Sequence, residues 1–112
     1  MHYRRLGKSG LKVSDIALGA WITMGSQIDD KLSSDLIHAA YDQGINFFDN
    51  SDVYASGQAE FVMGKAIKDI PREALVISSK VFWQTMPGPN GRGLSRKHLS
   101  EALNASLKRL NL

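Results

Sequence analysis

Three strand-length apolar runs, each followed by a helix-length segment, constrain this chain more than any other feature. Ile16-Ala17-Leu18-Gly19, Ile45-Asn46-Phe47-Phe48-Asp49 and Leu75-Val76-Ile77-Ser78-Ser79-Lys80 read as buried strands. Between them, Asp30 to Gln43 carries Leu32, Leu36, Ala39 and Ala40 at helical spacing, with Asp29 or Asp30 as N-cap and Gly44 as terminator. The second helix places Ala59, Val62, Met63, Ala66 and Ile67 on one stripe, and Pro71 stops it. Ser95 caps a third helix, with Leu99, Ala102, Leu103, Leu107 and Leu110 along its stripe. Ahead of all three units, Tyr3-Arg4-Arg5-Leu6 and Leu11-Lys12-Val13 flank Gly7-Lys8-Ser9-Gly10 and read as a β-hairpin.

Strands joined through helices must pair in parallel, because each crossover returns the chain in the same direction. A doubly wound nucleotide-binding sheet would advertise a glycine-rich phosphate turn after its first strand. Here that turn reads Gly19-Ala20-Trp21-Ile22-Thr23-Met24-Gly25, without the required glycine spacing. A P-loop also fails, since Ala66 stands where Ser or Thr should. A closed (β/α)8 barrel takes about 250 residues, and these 112 supply three of its eight units.

Composition excludes several function classes. With no Cys, the chain has no disulfide framework, thiolate metal site or cysteine nucleophile, and a reducing, cytoplasmic setting is the default expectation. The longest apolar run, Ile16 to Ile22, is too short to cross a bilayer, and no apolar segment follows the basic N-terminus, so neither membrane insertion nor a secretory signal is expected. His2, His38 and His98 share no ligand spacing, so no metal is expected. Residues 1–60 carry 5 basic and 8 acidic side chains, residues 61–112 carry 9 and 3. The basic half has no recognised nucleic-acid motif, and no nucleic-acid partner is expected.

Parallel strands present their C-terminal ends on one face, where barrels carry their chemistry. Trp21, Asp49, Tyr54 and Lys80 fall there. Adjacent strands lie about 4.8 Å apart, so Asp49 and Lys80 can form an ion pair, and Tyr54 can fold over it. A nearby ammonium favours phenolate over phenol, which suits Tyr54 to donating a proton. Taken singly, Asp49 could cap a turn, Lys80 could be a solvated strand end and Tyr54 a packing aromatic. Their coincidence on one face is what argues for a site. The loop over residues 81–94, with Phe82, Trp83 and Met86, is expected to form a mobile apolar flap beside it. Arg96 and Lys97 occupy a helix first turn that disfavours positive charge, which suggests an acidic partner such as a neighbouring subunit.

Gly44-Ile45-Asn46-Phe47-Phe48-Asp49-Asn50-Ser51-Asp52-Val53-Tyr54, followed by Gly57 and Glu60, resembles the G-I-N-F-F-D-T-A-x-x-Y signature of aldo-keto reductases. Gly7 to Ser14 is similar to that family's N-terminal hairpin, and Ser78-Ser79-Lys80 to its third strand. Lys80-Val81-Phe82-Trp83 with Arg92 to His98 most resembles the potassium-channel β-subunit branch and its bacterial relatives. Asn50-Ser51 replaces the usual Thr-Ala, and Ala20 stands where channel-type relatives tend to have Thr.

The resemblance implies that residues 1–112 are the N-terminal portion of a single barrel domain, comprising the hairpin and the first three βα units of a (β/α)8 barrel. It implies NADP(H)-dependent reduction of a small aldehyde or ketone by hydride transfer, with Tyr54 as general acid supported by Lys80 and Asp49. Ala20, Trp21, Gln27 and Asp49 would line the cofactor. A homo-oligomer, a cofactor-sensing channel-subunit role without turnover, and an inactive truncated fragment are the further readings it implies. The fourth strand with its catalytic His or Asn, and the segments gripping the cofactor phosphates, would lie beyond Leu112.

Overall fold

Gly7, at φ +59°, lets the chain reverse so that β1 (Tyr3–Arg5) pairs antiparallel with β2 (Lys12–Ser14). This computed structural model describes residues 1–112. The hairpin forms its own sheet and is stapled to the start of the main one: Ser14 N–H donates to Asn46 Oδ1 at 2.8 Å, and the Tyr3 hydroxyl to Gly44 O at 2.8 Å. It therefore closes the N-terminal end of the fold, away from the strand ends that carry Asp49 and Lys80.

β3 (Leu18–Gly19), β4 (Phe47–Asp49) and β5 (Val76–Ser78) form a parallel sheet in that order, shorter than the apolar runs that encode them. Pairing continues past the regular strands through Ala20 N–H to Asp49 O, Asn50 N–H to Ser78 O and Asp52 N–H to Lys80 O. The register sets Leu18, Phe48 and Ile77 side by side, and Gly19, Asp49 and Ser78 one step on. Because side chains alternate, the first row packs on the helices and the second lies on the opposite face. The sheet is open, with β3 and β5 as edges, so the fold is mixed α/β and no barrel closes within these residues.

Helices α1 (Asp30–Asp42), α2 (Gln58–Ala66) and α3 (Arg96–Leu110) pack successively, with α2 in the middle. Asp29 Oδ1 accepts Leu32 N–H and Ser95 Oγ accepts His98 N–H, so both sequence-read caps form, and Gly44 ends the first helical segment at φ +89°. The core joins Phe48 to Ile37 of α1, to Val62, Met63 and Ala66 of α2, and to Leu110 of α3. At Gly64 a Cβ would lie 2.7 Å from the Arg109 and Leu110 backbone, so α3 crosses α2 at a distance that only glycine permits.

The expected stripe of α2 is buried in full, whereas those of α1 and α3 need correction. In α1 the buried positions are Ser33 and Ile37, while Leu32 and Leu36 are exposed. In α3 they are His98, Ala102, Ser106 and Leu110, while Leu99, Leu103 and Leu107 face away from α2. Both helices are apolar on more than one side, and each is covered on one side only. No helix is long and apolar enough to cross a membrane.

Candidate active site

Asp49 closes β4, and its position opposite Ser78 brings both side chains to the same strand-end face. Ser78 Oγ donates to Asp49 Oδ1 at 2.5 Å, and Lys80 Nζ donates to Asp49 Oδ2 at 2.6 Å, so each carboxylate oxygen is held. Lys80 Nζ also donates to Asn50 O at 2.8 Å and to the Tyr54 hydroxyl at 3.2 Å. The three bonds match the three protons of an ammonium. Burial works against its charge, but hydrogen bonds to Asp49 and Tyr54 outweigh that and raise the Lys80 pKa above 10.5. Because Lys80 donates to the phenol oxygen, the hydroxyl proton of Tyr54 is left to point elsewhere.

Tyr54 is placed by an unusual backbone. Ala55 and Ser56 both adopt left-handed angles (φ +48° and +55°), followed by Gly57 at φ +90°, and this 3-10 turn leads directly into α2. Such conformations cost non-glycine residues roughly 1–3 kcal/mol each and persist where surroundings fix them. Asn50, fully buried, ties together the two ends of this turn: its Nδ2 donates to Ala59 O at 3.0 Å while its Oδ1 accepts Ser51 N–H at 2.8 Å. Trp21 lies over Tyr54 with ring centroids 6.1 Å apart and planes 20° from parallel. The two rings, with Ile22, Met24, Val53 and Trp83, line an open cavity of about 700 Å³.

Ala20 and Gln27 are not among the residues around this cavity. Ala20 is fully buried in the core and meets the site only through its N–H bond to Asp49 O. Gln27 is exposed in the turn after Trp21, its N–H bonded to Thr23 O, and does not line the cavity, where Ser26 does. Asp49, Trp21, Tyr54 and Lys80 are brought together.

A second polar cluster lies behind Lys80. Glu60, fully buried in the first turn of α2, accepts Ser79 Oγ at 2.6 Å and Arg109 Nε at 2.6 Å, tying the residue before Lys80 to the end of α3. Asp52 is buried beside it, with Oδ2 unpartnered. Burial first and the Glu60 charge second raise its pKa above the usual 3.8. Reading for apolar stripes missed Glu60, although one signal was available: it falls at helical spacing with Met63, Gly64 and Ile67, a lone carboxylate on a buried face.

The model of the Aldo/keto reductase family matches residues 15–112, nearly the whole chain. The chain belongs to the aldo/keto reductase family. Over its full length this reductase-family chain is 53% identical to a "Probable voltage-gated potassium channel subunit beta" of Arabidopsis thaliana and 51% identical to a protein of the same description from Oryza sativa subsp. japonica. It spans 34% of the length of each. The aldo/keto reductase signature read at Gly44 to Tyr54 thus supplies Asp49 and Tyr54, the two residues that Lys80 Nζ contacts by side chain.

Proposed function

We propose that these residues form the proton-donating half of an NADP(H)-dependent carbonyl reductase within a complete (β/α)8 barrel. The observation that supports this most directly is the threefold contact of Lys80 Nζ with Asp49, Asn50 O and Tyr54. Asp49 holds the ammonium, the ammonium holds the phenol oxygen, and the Tyr54 proton is available to a carbonyl oxygen in the cavity. Negative charge developing on that oxygen is met by the Tyr54 hydroxyl, with the Lys80 charge behind it.

The residues fit the nicotinamide end of such a cofactor. Trp21 and Tyr54 offer a flat apolar ledge, and Asp49, about a third exposed, keeps lone pairs open beside it. Trp21 and Asp49 would hold that end, and the reduced nicotinamide supplies the hydride that complements the Tyr54 proton. Replacing Tyr54 with Phe in the complete barrel should leave NADPH affinity nearly intact and lower turnover about 10²–10⁴-fold, as for loss of a general acid. Turnover at the wild-type rate, followed by NADPH absorbance with an aldehyde, would remove the assignment.

The description of the plant relatives favours a second reading, in which bound cofactor tunes a channel partner and turnover is incidental. Co-purification with a membrane channel, in the absence of aldehyde-dependent NADPH oxidation, would select it. Both readings set the chain in the cytoplasm.

A further inference from the structure

The loop between β5 and α3 is closed on itself by backbone hydrogen bonds. Gly93 N–H donates to Phe82 O at 2.8 Å across its neck, and Thr85 N–H donates to Gly91 O at 3.1 Å within it. Gly91 is buried against Met86, whose carbonyl oxygen occupies the place a Cβ would take. Over this frame the Arg92 guanidinium sits 5.3 Å from the Phe82 ring centre and 5.5 Å from that of Trp83. The two rings meet edge to face at 5.2 Å, and Arg92 has no carboxylate partner. Its ordered contacts are therefore the two aromatic faces, both within cation–π range. Trp83 in turn lines the cavity over Tyr54.

We propose that Arg92 is a specificity-determining residue that acts through Trp83. By clamping the indole it gives the cavity a fixed flat wall in addition to Trp21, and so favours planar aromatic carbonyl substrates over branched aliphatic ones. The substrate class rests on the reading of Tyr54 as proton donor; the clamp itself does not. Arg92 touches neither Tyr54 nor Lys80, so it is a positioning residue and has no part in proton transfer.

Two measurements test the proposal. Within residues 1–112 carrying Trp21→Phe, Trp83 is the only indole, and acrylamide quenching of its fluorescence reports its freedom. Trp83 is already 56% exposed, so Arg92→Ala should raise the quenching constant by no more than about twofold, with Arg92→Lys, which keeps charge but not the planar stack, in between. Quenching unchanged by Arg92→Ala overturns the clamp. In a barrel completed with the C-terminal two thirds of one plant relative, Arg92→Ala should lower the ratio of kcat/KM for benzaldehyde to that for isobutyraldehyde roughly fivefold, the scale of one or two lost cation–π contacts. An unchanged ratio overturns the specificity role even if quenching rises. Absence of turnover with both aldehydes before any substitution overturns the reading of the site, and the specificity claim with it, while quenching still decides the clamp.

Discussion

Asp52 and Glu60 show how much of the candidate site depends on buried residues behind it. Glu60 is fully buried and Arg109 is its one cationic partner, so Arg109→Met leaves the carboxylate with only the Ser79 hydroxyl and should cost about 3–5 kcal/mol in a denaturant melt. Asp52 behaves in the opposite sense. Its folded-state pKa is raised, so the stability it confers is present below about pH 3.8 and lost as pH climbs through the raised value. Asp52→Asn should therefore abolish this fall in stability with rising pH and raise the melting temperature at pH 7 relative to the parent. Equal slopes in the two proteins would show that Asp52 is not perturbed by folding. Asp49, Tyr54 and Lys80 were legible because a strand end announces itself by where an apolar run stops. Glu60 stood out only through the family resemblance, because one carboxylate in a helix first turn otherwise reads as dipole complement or solvated charge.

The secondary-structure elements were most legible where chemistry is local. Asp29, Ser95 and Gly44 act through a hydrogen bond or a backbone angle a few residues away, and each does what its residue type dictates. The buried faces of α1 and α3 were not legible, because periodicity shows that leucines share a side but not which side finds a partner. Ser33, His98 and Ser106 carry no apolar signal at all, yet they fill the contacts. Of the pair expected to invite an acidic partner, Lys97 is already bonded to Glu101 one turn on, which leaves Arg96 alone. The turn between β4 and α2 stores strain that a substitution can release. Ala55→Gly removes the penalty of a left-handed alanine and should stabilise by up to about 1 kcal/mol, while lowering turnover in the complete barrel because Tyr54 is held less firmly. A variant that gained stability with unchanged turnover would show that the strained turn has no role in placing the phenol.

The molecule as a whole is a sheet with two free edges under one layer of helices. Beside β5, Val81, Leu99 and Leu103 line an open groove that also includes Lys80. An unpaired edge flanked by exposed leucines favours pairing with another chain. The 112 residues by themselves are expected to self-associate and to bind NADPH weakly, since the cofactor contacts proposed for them are all at the nicotinamide end. Size-exclusion chromatography giving a sharp monomer, together with a melting temperature raised by NADPH, would contradict both expectations.

Gly64 touches nothing in the candidate active site, yet it works as its gauge block. The spacing it sets between α2 and α3 fixes where Arg109 starts, Arg109 reaches Glu60, Glu60 holds Ser79, and the next residue is Lys80. Errors along such a series accumulate toward its far end. A single methyl group at position 64 would be read out some distance away, as a misaligned ammonium under Tyr54.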